Sequence, residues 1–376
     1  CLGMSAAFFG SFVEKYGPRA SATVAAILFS TGMIGSGVAI HFESLYGFLA
    51  MYGVCGGMGL GMGYISPVST LVKWFPDRRG LATGMAVMGF GAGSLIAAPI
   101  ANRLIETVGI SNTFYILGSC YFVLMISGAL NIARPPEGWM PANMKAATET
   151  SGKNAKASAP KIVKQDLAQL TAKEAIKTKR FWLLWLMMFI NISCGLMLLS
   201  VASPLAQDKV GMTAAAASSV VAIMGFFNGG GRLGWATVSD YMGRTSTYTI
   251  FFVVQLAAFL FLPGISNALL FQVLLFLIIS MYGGGFACLP AYIGDLFGTK
   301  QLGAIHGYLL TSWSMAAIAG PMIIEFAQKI TGGYDAAFYV ISGMIAVALI
   351  ASLFIRVNIK QIHQASIAQV ATAHSN

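Results

Sequence analysis

Charge is what this sequence has least of. Asp, Glu, Lys and Arg make up 10% of its 376 residues, where a soluble domain carries roughly a quarter. Hydrophobic residues make up 57%, and the mean hydropathy is +0.74. A soluble globule of this size has too little interior to hide that much apolar surface. A soluble enzyme, a nucleic-acid binder and a secreted disulfide scaffold are therefore excluded. Cysteine is scarce and unpatterned. Cys1, Cys55, Cys120, Cys194 and Cys288 include no CxxC or Cys/His spacing, and the last four sit alone in apolar runs. Neither a disulfide framework nor a metal site is implied. HExxH, a nucleophile motif and a long soluble segment are all missing, so no catalytic chemistry and no cofactor are expected. Acids are fewer than bases, 13 against 23. In a soluble chain that excess points to nucleic acid, but in a membrane protein it reports the positive-inside bias.

What is present is a series of apolar runs, each near the length of about 20 residues that crosses a hydrocarbon core of about 30 Å. They cover residues 1–12, 20–40, 45–71, 81–101, 113–132, 181–204, 212–239, 246–262, 268–296, 303–323 and 336–355. The first is too short to span. If the turn after it is cytoplasmic, nineteen of the 23 Lys and Arg fall on the cytoplasmic side. Arg103, Lys209 and Lys329 fall outside, and Arg232 lies within a span. This asymmetry fixes the expected sidedness.

The longest connection, Arg134–Arg180, divides the chain. The expected organisation is a transmembrane half over 1–132, a cytoplasmic central loop over 133–180, a six-helix half over 181–360 and a cytoplasmic tail over 361–376. Thr171 and Glu174 have capping-box spacing, which predicts a short helix leading into Phe181. With Ile162, Leu167, Leu170 and Ile176 among lysines, that piece reads either as an amphipathic segment on the anionic leaflet or as a solvated linker.

The two halves look like repeats. GSFVEKYGPR (10–19) is echoed by ATVSDYMGR (236–244), with Glu14 and Asp240, and Gly17 and Gly243, both 226 residues apart. On that offset Phe181 maps to position −45, so one helix and half of another are expected upstream of Cys1. A lipoprotein cleaved at Cys1 is the rival reading.

These residues resemble the major facilitator superfamily. The turn GSFVEKYGPR is similar to the loop motif between its second and third helices. WFPDRRGLATGMAVMGFGAG (74–93) resembles the fifth helix of monocarboxylate transporters and of the bacterial oxalate–formate antiporter family. FNGGGRLGWATVSDYMGR (227–244), ARPPEGW (133–139) and DLFGTKQLGAIHG (295–307) resemble the bacterial family in particular. The resemblance implies an all-α polytopic fold of two six-helix halves, here without the first helix and part of the second. The halves would rock about a central site. It further implies a gate in which Glu14, Lys15, Gly17, Arg19, Asp240, Gly243 and Arg244 take part, with Asp77, Arg78 and Arg79. The plainer reading of these residues is a set of charged turns at a membrane face.

Arg232 carries the most information about chemistry. It lies eight residues inside Asp240, about 12 Å along a helix and near the bilayer midplane. A guanidinium there costs roughly 2.5–3.5 kcal/mol on insertion scales. No carboxylate stands mid-span to neutralise it, which points to an anionic ligand. A structural Arg on backbone carbonyls is the other reading. Tyr64, Tyr282, Phe286 and Trp313 fall at the same depth, and the resemblance places Tyr64, Tyr282 and Phe286 in the substrate cavity. Where the oxalate exchanger has a second cation, this chain has Trp313, which favours a monoanion. Where proton-coupled relatives have an Asp one turn before the arginine, this chain has Asn228, which cannot titrate. The expected function is exchange or facilitated transport of formate, lactate, pyruvate or oxalate, with a proton-coupled symporter as the alternative. The expected setting is a multi-pass monomer in the cell inner membrane that binds a small carboxylate and no nucleic acid.

Among the glycines, Gly53, Gly57 and Gly61 have small-xxx-small spacing for helix packing. Gly59, Gly61 and Gly63 only superficially echo a dinucleotide loop, since no strand precedes them. His306 reads as a cap or turn residue, or else as a proton relay. Asn191 and Gln255 read as interhelical glue.

Overall fold

The computed structural model describes residues 1–136, 138–142, 144 and 167–375, apart from the side chains at 91, 92, 94, 95, 363 and 365–375. All eleven expected helices are present. They are α1 (Leu2–Tyr16), α2 (Pro18–His41), α3 (Leu45–Trp74), α4 (Arg79–Val108), α5 (Ile110–Asn131), α7 (Lys179–Val210), α8 (Ala214–Met242), α9 (Arg244–Phe261), α10 (Ala268–Phe297), α11 (Leu302–Thr331) and α12 (Asp335–Ser375). The short α6 (Ala172–Ile176) precedes α7. Among the described residues, nine helices are long and apolar enough to cross a membrane.

Glycine and proline set the corners. Gly17, at φ +92°, is the whole turn between α1 and α2, and Pro18 opens α2 where its missing N–H is harmless. Gly243, at φ +85°, makes the matching turn between α8 and α9. Two helices depart from the simple pattern. α3 is π-helical over Leu49–Gly56, and α11 breaks at Leu310 between Leu302–Leu309 and Thr311–Thr331.

The capping box forms as expected. Thr171 Oγ1 accepts from the Glu174 backbone N–H, and the Glu174 carboxylate accepts from the Thr171 N–H at 2.7 Å. That backbone bond, with the Thr171 hydroxyl, holds the Glu174 carboxyl below its ordinary range. Of this connection, residues 167–176 pack against the end of α10 and the core. Leu167 and Leu170 donate backbone bonds of 2.9 Å to the carbonyls of Asp295 and Phe297. Ala172 and Ala175 are buried, and Leu167, Leu170 and Ile176 pack on the core. The frayed end of α10 has unpaired carbonyls, and the segment supplies their donors. Ile162 lies outside the described residues.

Helices α1 and α4 of the first group pack on α11 and α8 of the second. The α1–α11 seam is glycine-lined. A Cβ at Gly307 would lie 2.1 Å from the Ala6 carbonyl oxygen, and one at Gly10 would lie 2.6 Å from that of Gly303. The expected packing role of Gly57 and Gly61 holds, since both abut α1. Gly53 meets no neighbour within 4 Å, and Gly59 packs on α2 instead.

Candidate functional site

Arg232 projects from α8 into the interface between the two groups and is buried, with 5% of its surface exposed. Its Nε donates to Asn228 Oδ1 at 3.2 Å, one turn back on the same helix. Its Nη1 donates to the Val87 carbonyl of α4 at 3.3 Å. Its Cζ sits 5.2 Å from the centroid of Phe286 and 5.8 Å from that of Phe90, within cation–π range. No carboxylate among the described residues contacts it. A guanidinium has five N–H donors, and the protein supplies two acceptors. Among the described residues, Nη2 has no hydrogen-bond partner.

The expected aromatic residues gather beside it. Tyr64 lies with its ring centroid 5.4 Å from Phe90, 5.3 Å from Phe286 and 6.5 Å from Trp313, and Phe286 lies 5.0 Å from Trp313. These residues come from α3, α4, α10 and α11, so both groups build the box. Tyr282, one turn before Phe286, packs against Gly195 of α7. Asn228 serves the site by holding Arg232.

Sequence reasoning missed two members and left the place of a third open between a cap or turn and a proton relay. Phe90 and Val87 sit on α4, whose register against α8 is set by glycines rather than by any polar marker. A Cβ at Gly84 would lie 2.8 Å from the Arg232 carbonyl oxygen. The third is His306. It caps nothing: its ring is fully buried, lies 5.4 Å from that of Tyr64, and both ring nitrogens lack a hydrogen-bond partner. The Tyr64 hydroxyl is likewise buried and unpartnered.

The charged turns lie together at one end of the molecule, and the two repeated acids make the same contact. Asp240, in the second group, accepts at 2.9 Å from the backbone N–H groups of Gly80 and Leu81, in the first turn of α4. Glu14, in the first group, accepts from the Gly303 N–H in the first turn of α11 at 2.9 Å. Each acid thus occupies the positive N-terminus of a helix in the opposite group. Lys73 pairs with Glu14 at 2.8 Å, and Arg79 reaches Asp295 at 3.3 Å. Arg244 bonds both Asp240 and Asp295, the latter at 3.4 Å. Arg134 donates to the carbonyls of Val13 and Glu14. Lys73, Arg134 and Asp295 were not expected in this cluster. Lys15 and Arg19 are exposed and make none of these contacts, and Arg78 reaches only Asp77, at 4.0 Å.

The model of the Major Facilitator Superfamily matches residues 1–321. The oxalate:formate antiporter of Oxalobacter formigenes is 28% identical, over 90% of this chain and 76% of that protein. An uncharacterised MFS-type transporter of Escherichia coli K12, YhjX, is also 28% identical, over 84% and 74%. The Apicoplast pyruvate carrier 1 of Toxoplasma gondii is 24% identical, over 83% of this chain and 64% of its own length. Among solved structures, the transporter FucP in its outward conformation superposes with a TM-score of 0.67 at 15% identity, covering 94% of this chain and 89% of that one. A family model spanning most of the chain and a shared fold lead to one conclusion: this protein belongs to the Major Facilitator Superfamily and is a transporter, not an enzyme.

Proposed function

We propose that this protein carries small carboxylate anions by alternating access, with Arg232 as the anchor for the carboxylate. The observation that carries this reading is the unpartnered Nη2 of a buried arginine with no carboxylate of the protein beside it. A guanidinium fixed in low-dielectric surroundings attracts a planar anion strongly and offers it paired donors. The aromatic rings of Tyr64, Phe90, Phe286 and Trp313 shape the remaining walls and exclude water. The names of the relatives, an oxalate:formate antiporter and a pyruvate carrier, agree with this substrate class.

With one fixed cation and no second one at Trp313, the site suits a monoanion such as formate, lactate or pyruvate. Asn228 holds Arg232 without a titratable proton, so exchange or facilitated movement is the mode, in preference to proton symport. Glu14 and Asp240, capping helices of opposite halves, act as the latch that closes the charge-rich end. By the distribution of Lys and Arg that end is cytoplasmic, and the protein sits in the inner membrane.

The test is counterflow of labelled formate, lactate and oxalate in proteoliposomes bearing the full-length protein. Arg232→Gln is expected to lower exchange by at least a hundredfold while the protein still reaches the membrane. Removing a charged partner from a buried anion costs about 3 kcal/mol or more. Undiminished exchange in that variant refutes the assignment.

A further inference from the structure

Arg232, the aromatic box and the latch leave several buried ionisable groups unused, and His306 is one that meets the opposite half. His306 sits in the first turns of α11, between Gly303, where Glu14 of α1 binds, and Trp313 of the box. Its ring is fully buried and neither nitrogen has a partner. It meets the other half directly: Tyr64 of α3 packs edge-on at 5.4 Å, and Gly307, the next residue, abuts the backbone of Ala6 on α1.

We propose that His306 is a proton-binding site that becomes accessible only when the two halves part at the charge-rich end, so that acid on that side holds the carrier open there. The inference rests on the alternating-access reading above. An imidazolium without a counter-ion is not tolerated in a dry interior, because burying an unpaired charge costs far more than a neutral ring. Among the described residues, the groups around His306 supply no such counter-ion. Tyr64 of α3 is neutral at physiological pH. On α1, Glu14 is committed to Lys73 and the Gly303 N–H. On α10, Phe286 is apolar and Asp295 engages Arg79 and Arg244. On α6, Glu174 is committed to Thr171. On α7, Trp185 donates to Thr311, and Arg180 stacks on Phe297. Beyond Phe286 stands Arg232, a like charge.

His306 is therefore neutral in the closed arrangement described here. When α1 and α3 separate from α11, the ring meets water and can take up a proton. The protonated ring cannot be reburied, so closure must return the proton to the side it came from. The proton is not carried across, and the site is a pH brake compatible with exchange. The sign follows from linkage: a proton that binds only the open form favours the open form as pH falls. With one proton linked, the open-to-closed ratio rises by at most about tenfold per pH unit.

The test uses spin labels at Lys15→Cys and Lys300→Cys, exposed positions on opposite halves of this end, in full-length protein with Cys1 and Cys120 replaced by serine. Label-to-label distances are read between pH 8 and pH 5. The long-distance population is expected to grow as pH falls, and His306→Asn and His306→Phe are each expected to abolish that growth. Phe keeps the ring volume, which guards against loss of folding in the Asn variant. The proposal is overturned by an unresponsive wild type, or by a response that survives both substitutions. It is also overturned if a pH gradient drives accumulation of labelled formate in wild type but not in His306→Asn, since the proton would then cross with the acid. Because distances are read without substrate, the failure of this proposal is distinct from failure of the carboxylate assignment.

Discussion

At the scale of single residues, the central fact is an asymmetry of partners around Arg232. Two of its donors are used on Asn228 and Val87, and its Cζ stands over the Phe286 ring. Trp313 sits on the wall of that box, 5.0 Å from Phe286. Trp313→Lys is expected to shift preference from formate to the dianion oxalate by about tenfold or more, because a second buried cation pairs the second carboxylate. Competition of unlabelled oxalate against labelled formate checks it. Arg232 was legible in the sequence because a charge in an apolar run stands out against its surroundings. Val87 and Phe90 were not legible, since apolar side chains on α4 gain meaning only from the register of α4 on α8. His306 was visible as a histidine, but its burial and lack of partners arise from both halves closing over it.

At the scale of elements, close helix approach governs what can move. The α1–α11 seam brings backbone to backbone at Gly10 and Gly307, which no side chain would permit. Gly307→Val is expected to hold the seam apart and trap the charge-rich end open, since its first carbon alone would fall 2.1 Å from the Ala6 carbonyl oxygen. Gly343→Ala on α12, where no neighbour lies within 4 Å, serves as the control and should leave exchange unchanged. Label distances and exchange rates read both variants. The helices themselves were readable from runs of apolar residues bounded by Gly, Pro and charge. The π-helical stretch Leu49–Gly56 carried no such mark, being as apolar as the helix it interrupts. The break at Leu310 was equally silent, because leucine is a good helix former.

At the scale of the whole molecule, the internal repeat becomes a reciprocal pair of contacts, each acid at a helix N-terminus of the opposite half. The spacing of Glu14 and Asp240 from their turn glycines announced the duplication, but not which helix each acid would reach. That answer depends on how the halves face each other, which no local pattern encodes. Asp240→Asn removes the charge at the N-terminus of α4 and its bond to Arg244, a loss of about 1.5–3 kcal/mol for charged hydrogen bonds. The charge-rich end is expected to open roughly tenfold more often, read by the same label distances, with Glu14→Gln giving a smaller change in the same direction. Asp295 adds a further consequence. It is gripped by Arg79 from one half and by Arg244 from its own. When the halves separate, it keeps its resident arginine, so the clasp releases without stranding a bare acid at the membrane face. A mooring with one line on each shore lets the crossing begin from a shallow well.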